Sequence, residues 1–304
     1  MSFASETKAE LCRIEPEREC CRLAQCYGMF LFGNSFSFSA VSFLTESAPV
    51  ARRAAQMAAG AAGVVAETAS AVVRRGGRTT FSVSIPGQDS CERLLHVFHH
   101  RPGEMNLRIH LQNLPNECCA AAFLRGAFLC CGTVTAPEKG YDLEFSVPFM
   151  YLAKDLAALL SVQSAMNLQP GVANRKGSFV VYVRGGENVA DLLAFLGAPH
   201  AAMELMQAKM LKEMRNNINR KNNFETANID KTASAAARQL LAIEEIQKTA
   251  GLDSLPEDLR ELARLRLENP ELSLRELGGL LSPPLSRSGV NHRLRRIVEI
   301  AEQK

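Results

Sequence analysis

The stretch Leu124-Arg125-Gly126-Ala127-Phe128-Leu129-Cys130-Cys131-Gly132 decides the fold, because its small residues fall along one face of a helix and let a second helix approach closely. It closes a predicted helix over Cys118–Cys131. Working outward, an alternating strand follows at Tyr141–Val147, then a helix at Phe149–Met166 and a hairpin turning near Lys176-Gly177 into Ser178–Val183. The preceding residues run through the same order: an apolar helix Leu23–Gly33, a strand Phe36–Val41, a helix entered at Ser47, and a hairpin of Val64–Val73 and Thr79–Ile85 turning at Gly76-Gly77. The offsets agree, since 131 − 33 is 98 and 177 − 77 is 100. Each half ends in a short helix, Cys91–His99 and Glu187–Leu196. A near-constant offset over successive elements predicts an α+β domain at 1–200, with pseudo-twofold αβαββα repeats at about 1–100 and 110–200.

After Gly197-Ala198-Pro199 the strand-like runs stop. Met203–Met214 predicts a helix, and the Asn-rich run Arg215–Asn223 predicts its end, because consecutive Asn favour caps and turns. The domain junction is therefore expected at 201–225, with Arg215, Asn219 and Arg220 as candidate contacts to a partner, and an all-helical domain at 226–304. In that tail, Leu259–Glu268 is apolar at helical spacing and stops at Asn269-Pro270. Leu272–Gly278 then forms a short helix opened by Ser273, with Glu276 three residues on, and Pro283-Pro284 end it. A third helix starts at Ser286, with Val290, Leu294, Ile297 and Val298 as its apolar stripe.

Helix, turn, basic helix is the layout of a helix-turn-helix, whose second helix enters the DNA major groove. No acid lies between Ser282 and Val298. Arg287, Ser288, Asn291, His292 and Arg295 are expected near base edges or the flanking backbone, and Arg293 and Arg296 on phosphates. Ser273, Arg275 and Ser286 complete the candidate DNA-binding set. Arg and Asn suit this task because they bond guanine and adenine bidentately, while further cations neutralise phosphates.

Composition narrows the alternatives. The 304 residues, 47% hydrophobic and with a net charge of +3, suit about two globular domains. The Ala-rich segment is interrupted by Arg52, Arg53 and Gln56, so no membrane span is expected. Charges in the opening residues argue against an export signal, and the expected location is the cytoplasm, on the nucleoid. Nine cysteines, an odd count with adjacent pairs at 20–21, 118–119 and 130–131, are read as reduced thiols acting as small apolar residues. Cys20, Cys21 and Cys26 miss the C-x₂-C spacing of zinc sites, and His96, His99 and His100 lack a companion carboxylate or thiol at a usual spacing. No phosphate-binding or dinucleotide loop is found, so neither metal nor cofactor is expected.

The repeated helix, strand, helix, hairpin order resembles the LAGLIDADG homing endonucleases, whose paired helices each end in an acidic metal ligand. Alignment places Cys131 at that position in the second helix and Gly33 or Asn34 in the first. A thiol beside Gly or Asn does not hold Mg²⁺ well, and Glu138 and Asp142, just beyond, read as loop and strand charges. The chain as a whole resembles the WhiA family of bacterial sporulation and division regulators. The strings that carry this are MSFASETKAEL with Cys20-Cys21; Phe123–Leu129 with Pro137-Glu138-Lys139; Gly177–Tyr182; Asn217–Asn228; and Ser286–Arg295. It departs from the family at Gly33-Asn34, where Asn-Gly is expected, and in the Ala-rich stretch Ala48–Ala71.

The resemblance implies a protein that recognises double-stranded DNA by sequence, lacks nuclease activity, and acts in transcription or in division, chromosome segregation or sporulation. Two alternatives remain: a docking platform for a transcription or division protein, with DNA serving only to localise it, and a metal-dependent nuclease.

Overall fold

Ser2 opens α1 (Phe3–Leu11), its side chain accepting from the Ser5 amide at 3.3 Å. In the computed structural model, residues 2–72, 79–164, 166–175 and 177–303 are described, and the chain divides into two units, Met1–Glu213 and Met214–Lys304.

The first repeat comprises α2 (Glu19–Leu31), β1 (Ser35–Phe36), β2 (Val41–Thr45), α3 (Ala48–Ala62), β3 (Glu67–Val72), β4 (Thr79–Ile85) and α4 (Gln88–Val97). The second comprises α5 (Glu117–Cys131), β5 (Gly132–Val134), β6 (Asp142–Val147), α6 (Met150–Ser161), β7 (Gly171–Arg175), β8 (Ser178–Arg184) and α7 (Gly186–Leu196). Each repeat folds its own antiparallel four-stranded sheet, in the order β1-β2-β4-β3 and β5-β6-β8-β7. The pseudo-twofold α+β fold is the one expected, with a short first strand, β1 or β5, added to each half. The Gly76-Gly77 turn and Lys176 lie outside the described residues.

The axis runs between α2 and α5. A Cβ on Gly28 would lie 2.2 Å from the Phe123 carbonyl oxygen, and one on Gly126 would lie 2.2 Å from that of Gln25. Both pairs obey the 98-residue offset, since 126 − 28 and 123 − 25 are each 98. Only glycine permits this approach. Around it, Tyr27, Phe30, Phe123 and Phe128 are fully buried together with Phe43 of β2 and Phe145 of β6.

Two sequence expectations change here. The strand expected at Phe36–Val41 is a tight turn between β1 and β2, with the Ser37 and Ala40 amides each donating to the other's carbonyl. Ser37 Oγ also accepts from the Ala40 amide at 3.2 Å, a local bond that competes with extended backbone. The helix expected to reach Met166 ends at Ser161.

The larger correction concerns the Asn-rich run. It does not break the helix: α8 continues from Pro199 to Thr249 through all of Arg215–Asn223. Asn costs a helix only a few tenths of a kcal/mol per residue, about 0.7 at most, and extending an already nucleated helix adds a hydrogen bond for each residue fixed. Good helix formers on both sides, Lys209–Met214 and Ala233–Leu241, carry it across. From Leu211 to Ala235 every residue is exposed.

Beyond α8 come α9 (Glu257–Glu268), α10 (Leu274–Leu280) and α11 (Arg287–Glu302). They share a second core, in which Ile243 and Ile246 of α8 join Leu255, Leu259, Leu262, Leu277, Leu281, Val290, Leu294 and Ile297.

Candidate nucleic-acid interface

The helix-turn-helix is set by its caps. Ser273 and Glu276 form a reciprocal capping box: the Ser273 amide donates to Glu276 Oε2 at 2.8 Å, and the Glu276 amide donates to Ser273 Oγ at 3.4 Å. The Ser273 side chain, and then its amide, hold the Glu276 carboxyl below the usual carboxylate range. Ser286 caps α11, its Oγ accepting from the Gly289 amide at 3.2 Å. Both serines, expected as DNA contacts, thus use their side-chain oxygens to cap their own helices. The turn is closed at Gly278, whose carbonyl accepts from the Leu285 amide at 2.9 Å and where a Cβ would lie 2.2 Å from the Leu285 oxygen.

Val290, Leu294 and Ile297 fix α11 in the core, which turns the opposite face outward. Arg287, Ser288, His292, Arg295 and Arg296 are exposed, and Asn291 is half-buried. Among the described residues, Arg275, Arg287, Arg295 and Arg296 enter no ion pair. Arg293 differs: it donates to the Asp258 carbonyl at 3.2 Å and lies 3.6 Å from the Asp258 carboxylate. Arg293, one of the two arginines expected on phosphates, therefore ties α11 to the start of α9.

A groove of about 370 Å³ lies beside the start of α11, lined by Lys231, Gln239, Arg266, Arg275, Arg287 and Asn291 among others. Arg266 is buried, donates to the Leu272 carbonyl at 2.7 Å, and has its pKa lowered by burial. Lys231 and Arg266 were missed by the sequence reading, since neither sits in the basic run and only the fold brings α8 and α9 to this groove. Arg215, Asn219 and Arg220 lie exposed on α8.

At the opposite pole of the motif chemistry, the C-terminal ends of α2 and α5 hold Gly33 and Cys131. A Cβ on Gly33 would lie 2.5 Å from the Ser42 oxygen, so no larger side chain fits there without a shift. Asn34 Oδ1 accepts from the Leu44 amide at 3.0 Å. Cys131 donates to the Ala127 carbonyl, and burial raises its thiol pKa well above the ordinary value. Beside it, Lys8 of α1 donates to the Leu129 carbonyl at 3.1 Å. Sequence reasoning missed this amine, because nothing in the α1 string points to α5. Asp142, weighed as a substitute ligand, pairs with Arg184 at 3.2 Å. A glycine, a thiol and a lysine are a poor set for a hard divalent cation.

Two further clusters join residues that sequence spacing kept apart. His100 Nδ1 lies 2.8 Å from Glu104 and His100 Nε2 lies 3.0 Å from Tyr27 Oη, with His110 3.6 Å from the same carboxylate. Both ring nitrogens of His100 are thus partnered within the fold. The side-chain sulfurs of Cys20, Cys21, Cys118 and Cys119 all lie within 4.8 Å of one another.

Fold and site define a helix-turn-helix protein carrying a duplicated LAGLIDADG-like domain. The family model for the WhiA LAGLIDADG-like domain matches residues 120–215, and that for the WhiA C-terminal HTH domain matches residues 218–301. The chain is 39% identical over 317 residues to the probable cell division protein WhiA of Thermoanaerobacter sp. (strain X514), covering 100% of this chain and 98% of that one. It is 38% identical over 312 residues to the protein of the same name from Ruminiclostridium cellulolyticum, with the same coverage. Its fold is similar to that of full-length DUF199/WhiA from Thermatoga maritima, with a TM-score of 0.61 at 24% identity, over 100% of this chain and 99% of that one. The chain belongs to the WhiA family. Among the described residues no helix is long and apolar enough to cross a membrane.

Proposed function

We propose that this chain binds double-stranded DNA by sequence and regulates genes of cell division, chromosome segregation or sporulation, without cutting DNA. The observation that carries the proposal is the outward face of α11, where Arg287, Arg295 and Arg296 have no ion-pair partner among the described residues and Asn291 lies beside the groove. Arg287, Asn291 and Arg295 read base edges. Arg296, Arg275 and Lys231 meet phosphates, each phosphate neutralised adding about −0.9 to the log–log salt slope. Arg293 serves the fold instead. The missing acids at Gly33 and Cys131 support the absence of nuclease chemistry.

The test is selection of bound sequences from random duplexes with the full chain at near-physiological salt, followed by titration of Arg295→Ala on the enriched site. The variant should lose roughly 10–100-fold in affinity, about 1–3 kcal/mol, and relax preference at one base position. Enrichment of no motif, or an unchanged variant, would overturn the assignment. Plasmid incubated with the chain and Mg²⁺ or Mn²⁺ should remain supercoiled.

One observation favours a second reading, in which DNA localises a docking platform. The first unit exposes Met105, Phe149, Met150 and Tyr151 around a groove of about 500 Å³. That reading takes over if the selection enriches nothing.

A further inference from the structure

The pseudo-twofold has a chemical consequence at the N-terminal ends of α2 and α5. Cys20 and Cys21 occupy the first turn of α2, and Cys118 and Cys119 the first turn of α5. They correspond by the offset that relates Gly28 to Gly126, since 118 − 20 and 119 − 21 are both 98. The close glycine contact therefore sets the helix separation, and the duplication turns two cysteine pairs toward each other. The result is four sulfurs mutually within 4.8 Å, with Cys20 and Cys118 half-buried and Cys119 buried.

We infer that Cys20, Cys21, Cys118 and Cys119 form a tetrathiolate site for one thiophilic divalent ion, of which zinc is the type. Four sulfurs around a tetrahedral Zn²⁺, at Zn–S distances of about 2.3 Å, stand about 3.8 Å apart, so the cluster needs only a small contraction to close on one ion. A polynuclear iron–sulfur cluster spreads its cysteines over several irons and needs wider spacing. An all-sulfur donor set selects against Mg²⁺ and Ca²⁺.

The surroundings suit the charge. Each thiol gives its proton to solvent as the metal binds, so four thiolates and one dication leave a formal −2. Neither helix has a side-chain cap, so both N-termini turn uncapped amides and positive dipole ends toward this region. The Arg18 guanidinium donates to Cys118 Sγ at 3.6 Å.

Sequence spacing hides such a site, because each half supplies only an adjacent pair and the four ligands assemble only when the repeats pair. A bound ion staples the two repeats at one end of their shared helix pair.

The experiment is titration of the reduced, metal-free full chain with Co²⁺, then with Zn²⁺. One equivalent of cobalt should bring in thiolate-to-cobalt charge-transfer absorption and the intense visible bands of tetrahedral coordination, and one equivalent of zinc should abolish both. Cys20→Ser and Cys118→Ser, at half-buried positions, should each weaken binding by at least about 100-fold, since even loss of an outer-shell partner costs 10–100-fold. Cys12→Ser, outside the cluster, should bind as wild type, with circular dichroism confirming that every variant is folded. Absence of the cobalt bands at one equivalent overturns the inference, as do bands unchanged in Cys20→Ser. Alkylation during lysis followed by mass spectrometry gives an independent reading: four sulfurs recovered as two disulfides, or alkylated as readily as Cys12, overturn it, and four thiols that alkylate only after a chelator is added support it.

Discussion

The two units treat their charges differently. In Met1–Glu213 several charged side chains are consumed at home: Arg108 holds Asp155 through two bonds of 2.7 and 2.6 Å, Arg175 holds Glu144, Arg184 holds Asp142, and Lys8 caps a carbonyl of α5. In Met214–Lys304 the arginines of α11 are held back from such pairs, apart from Arg293. Exposed ion pairs contribute only about 0–1 kcal/mol, so the contrast concerns availability more than stability. The larger unit carries a LAGLIDADG-like domain whose helix pair ends in a glycine and a thiol, with the Lys8 amine beside the thiol. The smaller one keeps free hydrogen-bond donors where a partner could take them. Function has to be argued from the second feature, because a fold does not by itself carry a chemistry.

The sharpest way to break this contrast is at the pseudo-axis. Gly126→Leu would push a side chain into the Gln25 carbonyl and the Met29 amide, 2.2 and 2.9 Å from the new Cβ, with backbone on both sides and no flexible atom to yield. The expected loss is about 3 kcal/mol or more, since overpacking against fixed backbone lies at the upper end of its usual range. Hydrogen exchange read peptide by peptide should show faster opening in α2, α5 and both sheets, with α9–α11 unchanged. A variant with the wild-type unfolding midpoint would mean that the helix pair separates without cost.

Both the paired helices and the helix-turn-helix were legible in the sequence, for a common reason. Ser273, Glu276 and Ser286 act through local capping geometry, and Gly126 shows itself through the spacing of small residues along its own helix, although the contact it permits is distant. The stripe Val290, Leu294 and Ile297 is likewise a periodicity, and all three residues are buried. What stayed hidden depends on contacts far apart in the chain. Lys8 meets Leu129, Arg266 reaches the groove of α11, and Cys20 meets Cys119 only because the fold closes. Asn216–Asn223 misled in the opposite sense: a local preference of a few tenths of a kcal/mol per residue lost to the cooperativity of a long helix.

A smaller effect sharpens the comparison on the other side. Ser273→Ala and Ser286→Ala each remove a side-chain cap and should cost about 1 kcal/mol in stability of the second unit, measurable as a lowered midpoint in urea. Ser286→Ala should also fray the first turn of α11, where Arg287 and Asn291 sit, and weaken DNA binding several-fold. Ser273→Ala, one helix away, should lower stability with less effect on affinity. Equal effects of the two on DNA would show that both hydroxyls contact the duplex.

The smallest effect is a dependence on pH confined to the first unit. Burial lowers the His100 pKa from its ordinary 6.5, outweighing the Glu104 hydrogen bond that pulls it up; at Glu104 burial pulls the other way but is outweighed by bonds from His100 and Arg101, which hold the carboxyl below its ordinary 4.5. The unfolded chain therefore binds a proton at His100 before the folded one does. Stability is level above 6.5, declines as pH falls through 6.5, and levels again below the folded value. The Glu104 contribution is lost only at lower pH, below 4.5, so the two windows separate. Thermal midpoints between pH 7.5 and 5.5 should fall for the wild type, and the slope should flatten in His100→Gln, which keeps a donor toward Glu104. The neutral ring also bonds Tyr27 and faces His110, and an unchanged slope in the variant would show that His100 is not the source of the acid sensitivity.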